Sequence, residues 1–373
     1  MAAEAVTAMT RCLTMEGIFA NPASLHHRLG EQANALIKQA RFEMADLLSC
    51  KSSELIFTSG ATEANNLAIK GIALSYSKHG NHIVTSASEH KSVLDTCKYL
   101  ESVGFAITLL RPDSRGCLTV EQVVCALTDK TILVSLMQVN NETGVIQELE
   151  QIAEALQTRK LFFHVDAAQS AGKLKIDLSA LPIDLLSLSA HKFYGAKGMG
   201  CLYVRNRKQT HLMPLLHGGG QEYGLRSGTL PTHQIVSMAT AFKMADELMS
   251  ADYAHCQQLE LLLIEQLSQL DGVHFNGNAK HKLPNIVNVS FDQVGADALM
   301  IALRDDVAIA SGSACNSGAI EASHVLRAMG IEGDRLYGAV RISFGRYTTE
   351  SEIRRAGQRI CEEVIRLRQL AQT

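Results

Sequence analysis

Lys192 closes an apolar run broken by small hydroxyls, Asp184-Leu-Leu-Ser-Leu-Ser-Ala-His-Lys-Phe-Tyr-Gly195, ahead of a stretch rich in glycine (Gly195, Gly198, Gly200). The pattern reads as a buried strand ending abruptly in Ser, His and Lys. In an open α/β sheet ligands bind beyond the carboxyl ends of the strands. A lysine there can form a Schiff base with a carbonyl cofactor, and pyridoxal 5′-phosphate is the commonest partner of that kind. The plainer alternative is a solvated loop lysine, the usual environment of this residue.

Other stretches carry groups that would complete such a site. Leu55-Ile-Phe-Thr-Ser-Gly-Ala-Thr-Glu-Ala-Asn66 is a strand, a glycine turn and a helix start; its free N–H groups and the Thr62 hydroxyl suit a phosphate. The alternative is an ordinary βα turn. Asp166, in Phe163-His-Val-Asp-Ala-Ala-Gln169, ends another apolar run, so its carboxylate needs a cationic or hydrogen-bonding partner; a protonated pyridine nitrogen or a helix N-terminus would serve. Ser88-Glu-His90 and Val139-Asn-Asn-Glu-Thr-Gly144 follow strand-like runs and would crowd the same sheet edge. An imidazole there can stack on a flat ring or move protons, or be purely structural, and an Asn can bond a ligand oxygen.

Three further segments stand out. His217-Gly-Gly-Gly-Gln-Glu-Tyr-Gly-Leu-Arg-Ser-Gly-Thr229 is too rich in glycine for regular structure and is either a phosphate-holding or a plain flexible loop. Ala310-Ser-Gly-Ser-Ala-Cys-Asn-Ser-Gly318 sets one thiol among small residues, a composition that predicts an exposed, reactive Cys315. Arg341, in Val340-Arg-Ile-Ser-Phe344, puts a guanidinium in or beside a strand, where it would bind a substrate carboxylate or form a structural ion pair.

The elements that must position these groups follow from the apolar pattern. Leu55-Phe57, His82-Thr85, Ala106-Leu110, Thr131-Val139, Leu161-Val165, Leu185-Leu188 and Cys201-Val204 are strand candidates, most of them continuously apolar. That is the pattern of a largely parallel sheet covered by helices on both faces. Thr119 with Gln122 and Thr349 with Glu352 have capping-box spacing. One long helical segment, 232–270, leads to a second unit with strands expected at Asn285-Phe291, Asp306-Ala310 and Val340-Phe344. The predicted architecture is α/β: a large unit, residues 1–250, and a smaller C-terminal α+β unit, residues 251–373, against which the first 15 or so residues also pack.

Composition narrows the function. With 373 residues and a net charge of -3, the chain has no basic footprint for nucleic acid. Its nine cysteines lie apart, with neither a disulfide framework nor a metal-ligand spacing. No apolar run approaches the ~20 residues of a membrane helix. A cytoplasmic protein with reduced thiols and no membrane partner is expected.

Taken in order, these pieces resemble the cysteine desulfurases of the iron–sulfur assembly and nitrogen-fixation type, within fold-type I pyridoxal phosphate enzymes. The likeness runs from Gly17-Ile-Phe-Ala-Asn-Pro-Ala-Ser24 almost to the C-terminus, and the Ser-Gly-Ser-Ala-Cys315 loop followed by Leu326-Arg-Ala-Met-Gly330 carries it most specifically. The resemblance implies Lys192 as Schiff-base lysine and proton shuttle, His90 as a catalytic residue stacked on the pyridine and assisting proton transfer, Asp166 on the ring nitrogen and Gln169 on the phenolic oxygen. It implies Ala61, Thr62, Ser189 and His191 on the phosphate, Thr229 reaching the phosphate of the partner subunit in a homodimer, and Asn141 with Arg341 on the substrate carboxylate. L-cysteine would become L-alanine, its sulfur held as a persulfide on Cys315 for an acceptor protein, either an iron–sulfur scaffold or a tRNA or DNA thiolation protein. The family usually carries a segment like Tyr-Leu-Asp-x-x-Ala-Thr-Thr-Pro ahead of the first helix, which this chain lacks, and a longer C-terminal tail. Two other readings are a selenocysteine lyase or β-elimination enzyme on the same fold, and a truncated homologue that only dimerises or binds partners. The joint presence of Lys192, Asp166, His90, Cys315 and Arg341 argues against the last.

Overall fold

The computed structural model of the chain describes residues 1–312 and 322–372. Among these, seven strands form one sheet: β1 (Leu55–Thr58), β2 (His82–Ser86), β3 (Ala106–Leu110), β4 (Thr131–Met137), β5 (Phe162–Asp166), β6 (Leu185–Ser189) and β7 (Gly200–Val204), in the order β1-β7-β6-β5-β4-β2-β3. Strands β2 to β6 pair in parallel, and β7 runs antiparallel to both of its neighbours. The continuously apolar runs are buried at every position in β1, β2, β4, β6 and β7, because helices cover both faces.

Alternation along the strands divides the interior into two layers. Leu186 and Leu188 face one layer and Leu185 the other. The first layer is closed by α1 (Ala3–Thr10), α2 (Arg28–Leu47) and, further along the chain, α6 (Leu149–Gln157) and α7 (Thr232–Glu247); the second by α3 (Ala61–Tyr76) and α4 (Lys91–Ser102). Helices α5 (Val120–Cys125) and α6 (Leu149–Gln157) follow, then α7 (Thr232–Glu247) and α8 (Met249–Leu267). Both expected capping boxes are present: Thr119 and Gln122 open α5, and Thr349 and Glu352 open the C-terminal helix Glu350–Ala371.

The expected 232–270 helix is two helices meeting at Leu248, whose ψ of 2° leaves the helical range. Helix α7 buries Ile235, Met238 and Phe242 in the large core, whereas α8 buries Leu259, Leu263 and Leu267 in a second core. That core lies on a four-stranded antiparallel sheet in the order β10-β11-β9-β8, with β8 (Val273–Phe275), β9 (Ile286–Phe291), β10 (Ala310–Ser311) and β11 (Ala339–Ser343).

Three expectations differ from the structure. The strand read at Asp306-Ala310 shrinks to the two residues of β10, since the amides of Asp306 and Val307 both bond Leu303 O, closing the preceding helix. Strand β8 is not expected from the sequence because Val-His-Phe is only three residues long, too short for its alternation to stand out. Finally, α1 packs along α7, not against the C-terminal unit. Its small residues Ala2 and Ala5 are buried in the large core, and the Ala2 amide donates to Tyr194 O at 2.9 Å.

Candidate active site

The parallel strands deliver their C-terminal ends to one edge of the large sheet, where a cleft of about 540 Å³ opens. Asp166 is the last residue of β5; Lys192 follows β6 in a single 3₁₀ turn, Ala190–Phe193, ended by Tyr194 at φ 67°. His90 caps α4 beyond β2, and Asn141 lies in the loop beyond β4. Ala61 and Thr62 open α3 directly after β1. Gln169, Ser189 and His191 line the same cleft, which Arg341 of β11 closes from the small sheet, its Nη1 donating to Asn141 O at 3.0 Å. Of the residues singled out above, only two stand apart: Thr229 is exposed and outside the cleft lining, and Cys315 lies outside the described residues.

Burial dominates the electrostatics. Asp166 is 5% exposed, and desolvation pushes its carboxyl upward. Donation from Ala168 N to Oδ1 at 2.9 Å and from Asn65 Nδ2 to Oδ2 at 2.7 Å pulls the other way, as do the charges of His90 and Lys192. The Lys192 ammonium is lowered first by burial and then by Arg341, with Asp166 opposing, which favours the neutral nucleophilic amine. Burial also lowers His90 and His191; His191 Nδ1 lies 3.0 Å from Ser189 Oγ.

Sequence reading missed four side chains. Asn65 and Ser92 stand behind Asp166 and His90, bonded to each other at 2.9 Å. Asn65 is polar in a helix face otherwise made of Ala64, Leu67 and Ala68, and that mismatch was the available signal. Glu142 is buried, accepts from Ser323 Oγ at 2.5 Å, and is raised by desolvation. A Cβ on Gly312 would fall 2.0 Å from Glu142 Oε2, so Gly312 and Ser323 both abut this one carboxylate. His324 also lines the cleft, with Nε2 2.9 Å from Glu89 O. The last two contacts join residues far apart in the chain, so spacing could not reveal them.

The cleft fits pyridoxal phosphate. Gly60, at φ 153°, turns the chain so that the first amides of α3 are free for an anion. Gly200, paired with Thr58, must also lack a side chain, because a Cβ there would meet Gly60 Cα at 2.5 Å. Asn141 Oδ1 and Arg341 Nε are buried without a partner among the described residues, and such atoms call for a polar ligand. The described residues contain no group of side chains that could hold a metal ion and no helix long and apolar enough to cross a membrane.

Known proteins resemble this chain over nearly its whole length. The family described as aminotransferase class-V matches residues 3–356. The cysteine desulfurase IscS of Vibrio vulnificus (strain YJ016) is 49% identical over 363 residues, covering 97% of this chain and 90% of the relative. Among solved structures, a NifS-like protein superimposes with a TM-score of 0.89 at 34% identity, covering 100% of this chain and 96% of that one. SspA in complex with cysteine superimposes with a TM-score of 0.83 at 39% identity, covering 94% and 97%.

Proposed function

The chain belongs to the aminotransferase class-V family as a pyridoxal 5′-phosphate-dependent cysteine desulfurase, and from that premise we propose how its residues divide the work. The convergence of Lys192, Asp166, His90, Asn141 and Arg341 on one cleft carries the proposal. Ala61 and Thr62, through their amides, and Ser189 and His191 would hold the phosphate; Asp166 would hold the pyridine nitrogen, Gln169 the phenolic oxygen, and Lys192 would be the amine that meets the cofactor carbonyl. Bound there, the cofactor supplies an electron sink for the substrate carbon whose bonds change.

Arg341 and Asn141 bind the carboxylate of L-cysteine. The partnerless Arg341 Nε can donate to that carboxylate, whereas the partnerless Asn141 Oδ1 can only accept, so it suits the substrate's amino group while the Asn141 amide N–H serves the carboxylate. Lys192 Nζ, poised toward its neutral form, takes the proton from the α-carbon and returns it. Cys315, its thiol proton having passed to a base in the cleft, attacks the substrate sulfur as thiolate: the new S–S bond forms as the C–S bond breaks, and the electron pair left on the β-carbon takes up a proton, which leaves a Cys315 persulfide and L-alanine. A separate protein, an iron–sulfur scaffold or a thiolation protein, then accepts the sulfur. The enzyme works as a homodimer in which Thr229 reaches the partner's phosphate site, a role that suits its exposure and its distance from its own cleft.

The test is an absorption spectrum recorded before and after addition of L-cysteine, with alanine and sulfide under reductant assayed for wild type and Cys315→Ala. A yellow protein whose band shifts with cysteine, and which makes alanine only when Cys315 is present, is expected. A colourless protein that takes up no added cofactor would overturn the proposal.

A further inference from the structure

Behind the cleft, a chain of hydrogen bonds fixes where the protons lie. Asn65, in the second turn of α3, is fully buried. Its Nδ2 gives one proton to Asp166 Oδ2 at 2.7 Å and the other to Ser92 Oγ at 2.9 Å. The reversed amide would set a carbonyl oxygen against a carboxylate and lose both bonds, so charge decides the orientation. Having accepted from Asn65, the Ser92 hydroxyl has its own proton to donate, and His90 Nδ1 lies 2.9 Å away. The Ser92 backbone N–H, which can only donate, points to the same Nδ1 at 3.1 Å.

A ring nitrogen that accepts two hydrogen bonds carries no proton, so the neutral imidazole of His90 must be protonated on Nε2. Charging the ring would need a proton on Nδ1; the Ser92 hydroxyl could accept it, but the Ser92 backbone N–H, which can only donate, would lose its bond and face that proton. Of the charged groups around His90, Asp166 and Asp95 favour the cation, while Lys192 and His324 oppose it. The arrangement leaves Asn65 Oδ1 buried and without a partner among the described residues. An unmade bond of that kind is costly, and here both amide protons are placed on the catalytic side instead.

We infer that Asn65 and Ser92 are positioning residues that hold His90 as the Nε2–H imidazole and tie its ring to the Asp166 carboxylate, so that His90 meets the substrate as a hydrogen-bond donor. The inference rests on the proposed placement of the cofactor between Asp166 and His90. Its consequence is a division of labour. His90 Nε2, already protonated, has no lone pair to take the α-proton, which leaves that step to Lys192 Nζ. A neutral imidazole can still polarise by donation. Because one amide serves both neighbours, removal of Asn65 disturbs the stacked face and the nitrogen edge of the cofactor together.

The test uses the holoenzyme labelled with ¹⁵N-histidine, the His90 signals being identified by their loss in His90→Gln. The Nε2–H pattern is expected, unchanged from about pH 6 to about pH 8. Ser92→Ala and Asn65→Ala leave Nδ1 the residue-92 backbone N–H but remove or release the hydroxyl donor, so a part of the Nε2–H population should pass to Nδ1–H, and Ser92→Thr, which keeps the hydroxyl, should restore the wild-type pattern. Asn65→Ala should also weaken cofactor retention by about tenfold, the loss of one charge-assisted bond. An Nδ1–H tautomer or an imidazolium in the wild type would overturn the inference. So would wild-type nitrogen signals and cofactor retention in both alanine variants. Asp166→Asn separates the two levels: if it leaves cofactor retention and absorption unchanged, the placement of the cofactor has failed, and with it the tie between His90 and Asp166.

Discussion

Glu89 shows how a single buried carboxyl sets a pH response. It is fully buried beside the cleft, with Oε1 accepting from Met137 N at 2.8 Å and Oε2 without a partner among the described residues. Desolvation pushes it well above the ordinary carboxylate range, and Asp166 adds to the push. The folded chain therefore keeps this proton to higher pH than the unfolded chain does. The stability from Glu89 is complete below the unfolded pKa of about 4.3 and falls as pH rises toward the folded value. Glu89→Gln keeps an oxygen for Met137 and removes the titration. Its gain in Tm over wild type should thus be larger at about pH 8 than at about pH 5; equal gains would show that Glu89 is ionised in the folded protein. At this scale the sequence was readable wherever a polar residue ended an apolar run, as at Asp166 and Lys192. Glu142 and Ser92 were not readable, because their meaning lies in Ser323 and in Asn65, residues that only the fold brings near.

The glycine-rich loop is an irregular element held by two ion pairs, Glu222 with Arg41 and Arg226 with Glu63. Glu222 and Tyr223 both adopt positive φ, 49° and 60°, an uncommon conformation for residues with a side chain. Glu222 nonetheless buries its carboxylate against Arg41 of α2 in a bidentate pair and takes the Phe57 amide of β1 at 2.7 Å, while Arg41 donates to Leu55 O at 2.6 Å. Glu222→Ala would leave a buried guanidinium and a strand amide unpaired, so it should cost about 3–5 kcal/mol in urea unfolding. A loss under about 1 kcal/mol, the scale of an exposed pair, would show that water reaches Arg41. The loop's composition announced irregular backbone, but the anchor is invisible in sequence: an acid among glycines looks like surface. Helix starts were the most legible elements, since Thr119 and Thr349 announce theirs within four residues.

At the scale of the whole molecule, the site is built from both units. Besides Arg341 and Asn141, Asn288 Nδ2 donates to Glu142 O at 3.2 Å and the Leu283 amide to Gly144 O at 2.9 Å, so the loop after β4 is bonded to both the small sheet and its approach. If the homodimer proposal holds, a third contribution comes from the neighbouring subunit. Thr229→Ala and Lys192→Ala should each be impaired alone. Mixed dimers should then regain activity, because the Thr229→Ala subunit keeps Lys192 and receives an intact Thr229 from its partner. Assays after co-expression with two tags, and light scattering for the mass, test this; no recovery in a verified mixed dimer would place Thr229 outside the partner's site. The two-unit architecture was legible from the apolar runs and the long helical segment, but the change of core at Leu248 was not, because nothing in that residue distinguishes a kink from a turn of helix.

Strand β1 is bonded to a single neighbour, β7. On a ribosome, which releases the chain from its N-terminus, the Gly60 turn emerges early. Its strand then has no partner strand to pair with until Gly200–Val204 has been made, and Glu222, which holds the Phe57 amide, follows later still. Until then the strand is an open edge, the kind of surface that recruits other chains. The phosphate cradle is therefore among the last parts of the large unit to become real. Cofactor capture follows completion of the sheet and cannot guide it.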